Sequence, residues 1–231
     1  MNPLRKTIQK FGFDFHRYRP HTDKLQYLQT FGIKTVLDVG ANIGQFRDEI
    51  REKLPDAFIY SFEPLKECFE VLAKAEKTDN KFKAFNCALG DKSEKATIHK
   101  SSYTLSSSLL PMSDIHKNAF PHTKHSRPEE IEVKKMDNVF QSINLPREIL
   151  IKVDTQGYED RVIAGGRETF LKARALIMET SFVSLYEGQQ LFADIYATLK
   201  EMGFTYLGAL HQKTDKKTGA VLFEDSLFVK R

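Results

Sequence analysis

The sequence predicts an α/β fold: a mainly parallel sheet with helices on both faces, closed by a C-terminal β-hairpin. Three observations predict it. Short apolar runs alternate with helical stripes from residue 34 to residue 202, the pattern of successive strand–helix–strand units. Residues 36–46, V-L-D-V-G-A-N-I-G-Q-F, form an apolar run that ends in a carboxylate, a glycine-spaced turn and the start of an amphipathic helix. Residues 204–210 and 221–229 flank a polar turn over 212–219 and read as a hairpin.

The elements follow in order. Residues 34–39 read as the first strand and 45–53 as the helix after it. Residues 58–62 form the second strand. Pro64 then suits a helix start, with Leu65, Cys68, Phe69 and Leu72 on one apolar face. The third strand is expected over 81–88, closed by Gly90-Asp91. Shorter strand-like runs occupy 96–99 and 130–135. The fourth strand spans 148–153, followed by a helix through Val162 and Ile163 to the pair Gly165-Gly166. Residues 174–179 form the fifth strand. Leu191, Phe192, Ile195, Leu199 and Met202 make a helical stripe that Gly203 ends.

Between the third and fourth strands, residues 100–129 carry seven serines, three prolines and three histidines without sustained periodicity. A long segment of this kind in a compact domain reads as an unstructured, lid-like loop. Its place in the chain lets it cover the carboxyl edge of the sheet, where open α/β folds bind ligands.

Composition sets bounds on function. Hydrophobic residues make up 41% and charged residues 29%, as in ordinary globular protein. Residues 21–231 are expected to form one domain behind an arm over 1–20. No apolar run is long enough to cross a membrane, and the N-terminus lacks an apolar signal core. Cys68 and Cys87 lack metal-binding or redox spacing and read as buried free thiols of a cytoplasmic protein. The net charge of +4 belongs to the arm, where Arg5, Lys6, Lys10, Arg17 and Arg19 stand against Asp14. The rest is charge-balanced, which argues against a nucleic-acid groove. Phe11, Phe13, Phe15 and Tyr18 interleave with the arm's charges. Such an arm suits weak contact with an anionic membrane surface or a phosphate-bearing substrate; equally, it packs its aromatics onto the domain.

Two clusters carry chemistry. The turn Gly40-x-Asn42-x-Gly44 departs from the dinucleotide fingerprint, because Asn42 and Gln45 replace its second and third glycines. Asp38 at the strand end would repel a pyrophosphate but suits a cation, so S-adenosylmethionine fits this turn better than NAD. Glu63 closes the second strand about 20 residues past the turn, where a carboxylate grips a ribose diol. The second cluster is I-L-I-K-V-D-T-Q-G-Y-E over 149–159. Lys152 and Asp154 are two apart on a strand and share a face. Asp154 would lie beside the cofactor turn, or cap the following helix. Candidate bases for an acceptor hydroxyl are Asp154, then Glu179 at the end of the fifth strand, then His122 or His125. Asp154, Glu159 and Glu179 are hard oxygen ligands, but no spacing demands a metal.

The motifs D-V-G-A-N-I-G-Q-F at 38–46, F-E-P at 62–64, A-L-G-D at 88–91, S-S-L at 107–109 and I-K-V-D-T-Q-G-Y-E at 151–159, with G-G at 165–166, occur in this order. Together they resemble the FkbM-type methyltransferases. The resemblance implies a class I S-adenosylmethionine-dependent (Rossmann-like) fold, a seven-stranded sheet with its last strand antiparallel. It also implies methyl transfer to oxygen, often on a saccharide or other small hydroxylated metabolite. By position, Asp38, Gly40, Asn42 and Gly44 would form the cofactor turn and Glu63 would hold the ribose. Ala88 and Leu89 would lie against adenine, and Asp154, with Lys152 and Glu179, would sit near the transferring methyl. Two rivals are an NAD-dependent oxidoreductase, which the glycine spacing disfavours, and a non-catalytic scaffold, which the intact Asp38, Gly40, Gly44 and Glu63 disfavour. A nucleic-acid methyltransferase would need a basic body that the chain lacks.

Overall fold

The computed structural model describes residues 24–146 and 148–230. The arm over residues 1–20 lies outside the described residues. A 3-10 helix, Lys24–Phe31, leads into β1 (Thr35–Val39), α1 (Gln45–Lys53), β2 (Phe58–Phe62), α2 (Lys66–Glu76) and β3 (Phe82–Phe85). Then come β4 (Ala88–Leu89), β5 (Glu94–Ser101), α3 (Asp114–Ala119), β6 (Ser126–Lys134) and α4 (Met136–Val139). The chain continues through β7 (Ile149–Val153), α5 (Glu159–Gly165), α6 (Arg167–Lys172), β8 (Ala173–Ser181), α7 (Phe192–Glu201), β9 (Thr205–Thr214) and β10 (Val221–Val229). Among the described residues, no helix is long and apolar enough to cross a membrane.

Seven strands form one sheet in the order β3-β2-β1-β7-β8-β10-β9. β10 runs antiparallel to both neighbours, and the remaining pairs are parallel. The chain order reverses at β1, which places a crevice at the carboxyl ends of β1, β2 and β7. All five residues of β1 are buried, so it reads as a continuous apolar run interrupted only by Asp38. Alternate residues serve opposite faces. Leu37, Ile151, Leu176 and Phe228 pack with Val162, Phe170, Ile195 and Leu199 of the later helices. Val36, Ile59, Leu150 and Ile177 pack with Leu28, Ile50 and Leu72 on the other side.

Three expectations are corrected. The third strand stops at Phe85, and Ala88–Leu89 belongs to a second sheet of order β4-β6-β5. The helix expected from Pro64 begins at Lys66, because the Glu63 carboxylate accepts a hydrogen bond from the Leu65 N–H at 2.8 Å and so holds the chain in a turn. The stretch 100–129 is not unstructured. Its ends pair antiparallel from Glu94↔Val133 to Ser101↔Ser126, and between them lie α3 and two single-turn 3-10 helices, Thr104–Ser106 and Pro121–Thr123. None of these helices is long enough to show a period of 3.6 residues.

The glycine pair closes the fold locally. A Cβ on Gly165 would lie 1.8 Å from the Gly90 carbonyl oxygen, so the end of α5 rests directly on the backbone after β4. Gly165→Ala must push these backbones apart, at a cost of about 1–3 kcal/mol. The thermal midpoint should fall by roughly 2–12 °C for a chain of this size. An unchanged midpoint in a melting experiment would contradict this contact.

Candidate active site

The turn after β1 is shaped by backbone. Gly40, Asn42 and Gly44 all have positive φ, at 80°, 48° and 97°, a region that Gly adopts freely and Asn tolerates. A Cβ on Gly40 would lie 1.9 Å from the Asp154 carbonyl oxygen. The turn therefore lies flush against the end of β7, tied there by Asp154 N–H donating to the Val39 carbonyl at 3.0 Å. The Gly40 and Ala41 N–H groups both donate to the Phe62 carbonyl.

Glu63 sits in the adjoining wall, 4% exposed. Its Oε2 accepts from the Asn42 N–H and its Oε1 from the Leu65 N–H, both at 2.8 Å. Burial nonetheless pushes its carboxyl up to about 7, against the pull of those two donors. Asn86 fixes the backbone here, donating to the Glu63 and Pro64 carbonyls. Asn42 also donates through Nδ2 to the Thr104 hydroxyl of the overlying segment at 3.0 Å.

Gly40, Asn42, Glu63, Ala88 and Leu89 line one cavity, walled by apolar side chains and roofed by Thr104–Ser106 and its neighbours. Asp38 and Gly44 do not line it. Asp38 is fully buried below the turn, where Ser61 donates to its Oδ2 at 3.2 Å. Its Oδ1 has no hydrogen-bond partner among the described residues, and Lys152 Nζ stands 3.9 Å away. Burial raises the Asp38 carboxyl, opposed chiefly by Lys152. Gly44 starts α1, with its Cα facing Leu72 and Arg47.

A second, wider cavity of about 480 Å³ adjoins the first and shares Gly40, Asn42, Leu105 and Asp154 with it. Lys152, Glu49, Asp154 and Asp225 carry its charge, and Phe46, Ile177 and Leu210 supply apolar wall. Lys152 Nζ bonds Asp154 Oδ2 at 3.3 Å and lies 5.8 Å from the Phe46 ring centre. Burial would lower the Lys152 ammonium, but Asp154 and Asp38 outweigh it and hold it above its ordinary range.

Sequence reasoning missed the residue that joins these groups. Gln156 has φ 58°, and its Nε2 donates to Asp154 Oδ1 at 2.7 Å and to both Glu179 oxygens at 3.1 Å. Its Oε1 accepts from the buried Tyr186 hydroxyl at 2.7 Å, and its carbonyl accepts from Ser108 at 2.7 Å. Lys152, Asp154 and Glu179 are thus brought together, with Glu179 behind Gln156 and lining neither cavity. Burial, with Asp154, Glu159 and Asp225 close by, raises the Glu179 carboxyl well above the carboxylate range. Glu159 is also buried. Its Oε1 accepts from the Thr155 and Gly157 N–H groups and the Thr155 hydroxyl, and burial pushes it up to about 7. His122 and His125 line neither cavity; His122 packs edge-on against Tyr103 instead.

The methyltransferase FkbM domain matches residues 38–206 of this chain, a span that takes in both cavities' shared residues. The chain belongs to the FkbM methyltransferase family. Two proteins similar to this chain are 2-O-methyltransferase NoeI of Sinorhizobium fredii (strain NBRC 101917 / NGR234) and methyltransferase sdnD of Sordaria araneosa. The first is 28% identical over 67% of this chain and 66% of its own length, so the chain spans just under two thirds of it. The second is 27% identical over 73% of each. Among solved structures, a Klebsiella pneumoniae chain provisionally described as an O-methyltransferase superposes with a TM-score of 0.50 at 12% identity, covering 100% of this chain and 91% of its own. That likeness shows the fold.

Glu63 and Glu159 make the folded chain sensitive to pH. Both are ordinary carboxylates at 4.5 when unfolded and titrate near 7 when folded. Their stabilising contribution is complete below about 4.5 and is lost as pH rises through 7, by roughly 3 kcal/mol each. The denaturant midpoint should therefore fall between pH 5 and pH 7.5. Glu159→Gln, which retains an acceptor oxygen, should flatten that slope; a slope unchanged by the substitution would exclude Glu159 as its source.

Proposed function

We propose that this methyltransferase uses S-adenosylmethionine to methylate a hydroxyl on a saccharide or similar small hydroxylated molecule. The observation that carries the reading is the buried Glu63 carboxylate in the wall of an apolar cavity. Each of its oxygens takes one backbone donor and keeps a lone pair for a ribose hydroxyl. The residues fit the rest of the cofactor. Ala88 and Leu89 supply apolar surface for adenine. Gly40 leaves backbone bare where a side chain would fill the turn, and Asn42 shares the Glu63 contact. Gly44 holds the turn's shape. The Asp38 Oδ1, which takes no hydrogen bond among the described residues, adds negative potential under a cationic ligand.

When bound, S-adenosylmethionine supplies a methyl group on a positively charged sulfur. The protein's task is then to hold an acceptor oxygen in line at about 3–3.5 Å. Asp154 borders both cavities and is fixed by Gln156 and Lys152, so it is placed to accept the acceptor's hydroxyl hydrogen bond. Lys152 balances Asp154 and Asp38, and Glu179 anchors Gln156. Carboxylates beside the Phe46 ring suit a polyol, whose hydroxyls donate and whose C–H face packs on aromatic surface. The name of the relative NoeI, a 2-O-methyltransferase, supports oxygen as the acceptor atom.

Two tests follow. In calorimetric titration, S-adenosylhomocysteine should bind and NAD should not, and Glu63→Ala should weaken binding about 10–100-fold, the worth of hydrogen bonds to a charged group. Equal affinity in the variant would remove Glu63 from the cofactor site. Asp154→Asn should leave that affinity within about twofold while lowering turnover of a methylated sugar at least tenfold; full turnover would exclude Asp154 from the reaction.

A further inference from the structure

The second cavity contains a pair of residues from the C-terminal hairpin that the methyl-transfer reading has not used. His211 on β9 lies directly opposite Asp225 on β10, and Asp225 lies directly opposite Glu179 on β8. His211 Nδ1 stands 4.0 Å from Asp225 Oδ2. Both side chains line the cavity that Asp154 and Lys152 border.

The strand is built to aim His211 there. Neighbours along a strand point to opposite faces, yet Leu210 and His211 both line this cavity. A bulge explains it. Asp225 pairs with His211 while Ser226 pairs with Ala209, so Leu210 is an extra residue on β9. Such bulges re-aim side chains beside functional sites.

Asp154 is encumbered as a terminal proton acceptor, because both its oxygens already receive a donor, Gln156 at 2.7 Å and Lys152 at 3.3 Å. His211 has the opposite situation. Its Nδ1 faces a carboxylate, its Nε2 is left for the cavity, and its side chain is 66% exposed, so a captured proton can leave to water. Imidazole is the side chain suited to exchanging protons near neutrality. The charged groups facing it are Asp225 on β10, Glu179 on β8, Lys152 and Asp154 at β7, and Glu49 on α1, with Lys213 two residues along its own strand.

We propose that His211, oriented by Asp225, is the general base of the methyl transfer, taking the acceptor's hydroxyl proton on Nε2 and releasing it to solvent. The inference rests on the methyl-transfer reading above. As the acceptor oxygen's lone pair forms the bond to the methyl carbon, the pair of the breaking carbon–sulfur bond returns to sulfur and the hydroxyl proton passes to His211. The 4.0 Å separation from Asp225 would close once the ring is charged.

The test has two arms. In the first, the 15N shifts of the neutral His211 ring are recorded by NMR in protein saturated with S-adenosylhomocysteine, with no acceptor needed. Asp225 beside Nδ1 should hold the ring proton there and leave Nε2 bare, and Asp225→Asn should shift the tautomer balance toward Nε2–H, with unchanged affinity for S-adenosylhomocysteine showing that the fold is intact. A tautomer balance that ignores Asp225→Asn overturns the pair. In the second arm, S-adenosylmethionine is supplied with a panel of free hexoses and methyl glycosides. His211→Gln should lower kcat about 100-fold or more, leave KM for S-adenosylmethionine unchanged, and abolish the acidic limb of the kcat–pH profile. Full kcat with the limb retained overturns the proposal. If the wild-type protein methylates no sugar in the panel, the saccharide reading fails, and the NMR arm still decides whether His211 and Asp225 act together.

Discussion

The site depends on one close approach. The turn after β1 and the turn after β7 touch backbone to backbone, with Gly40 against the Asp154 carbonyl where a Cβ would lie 1.9 Å from oxygen. That contact makes a single boundary of two strand ends that are 114 residues apart in number, 40 and 154. It sets Asn42 within reach of Glu63 on one side and leaves Asp154 on the rim of both cavities. Any side chain at Gly40 would part the two turns and separate the cavities' shared edge. The parallel pairing of β1 with β2 and β7 supplies the rest, because it aligns Asp38 with Ser61 and Lys152 without any loop having to fold first.

The polar groups around this edge are arranged as a chain in which buried carboxylates are answered by backbone, by one cation or by the Gln156 amide. Glu63 and Glu159 are held by N–H groups of the turns that they stabilise. Among the described residues, Lys152 is the cation that pairs with both Asp38 and Asp154. Glu179 and Asp225 lie beyond it, and burial raises both. The cluster is therefore short of positive charge. A low-dielectric setting makes each uncompensated carboxylate costly, so a cationic ligand at this edge relieves a cost already present in the fold. Gln156 tolerates the arrangement because its amide offers donors to two carboxylates and an acceptor to Tyr186 at once.

What the sequence made legible was local. The strand, turn and helix from Val36 to Phe46 could be read because apolar run, carboxylate and glycines are contiguous. Glu63 was legible from its distance to that turn. The start of α2 was not, because Glu63 captures the Leu65 N–H and Pro64 alone suggests an earlier start. The end of β3 was obscured because Asn86 turns the chain through bonds to Glu63 and Pro64 carbonyls, which no periodicity encodes. The segment over 100–129 concealed the start of β6 because Ser126, Arg127, Pro128 and Glu129 bury no side chain, and the in–out alternation begins only with Ile131 and Val133. Gln156, Tyr186 and Asp225 were invisible for a different reason. Their roles come from contacts 23 to 30 residues away in sequence or across strands joined late in the chain, and a polar residue among other polar residues carries no mark of its distant partner.

The bulge on β9 has a consequence for how such a protein can change over time. The first cavity is lined chiefly by the ends of β1 and β2 and by the segment after β3, whereas the far wall of the wider cavity comes from one hairpin joined to the sheet through β8. A one-residue insertion or deletion near Leu210 would turn that wall's side chains to the opposite face of the sheet while leaving Gly40, Glu63 and Asp154 where they are. The hairpin thus behaves as an interchangeable face. A shift of its register would change the lining of the wider cavity and leave that of the first as it is.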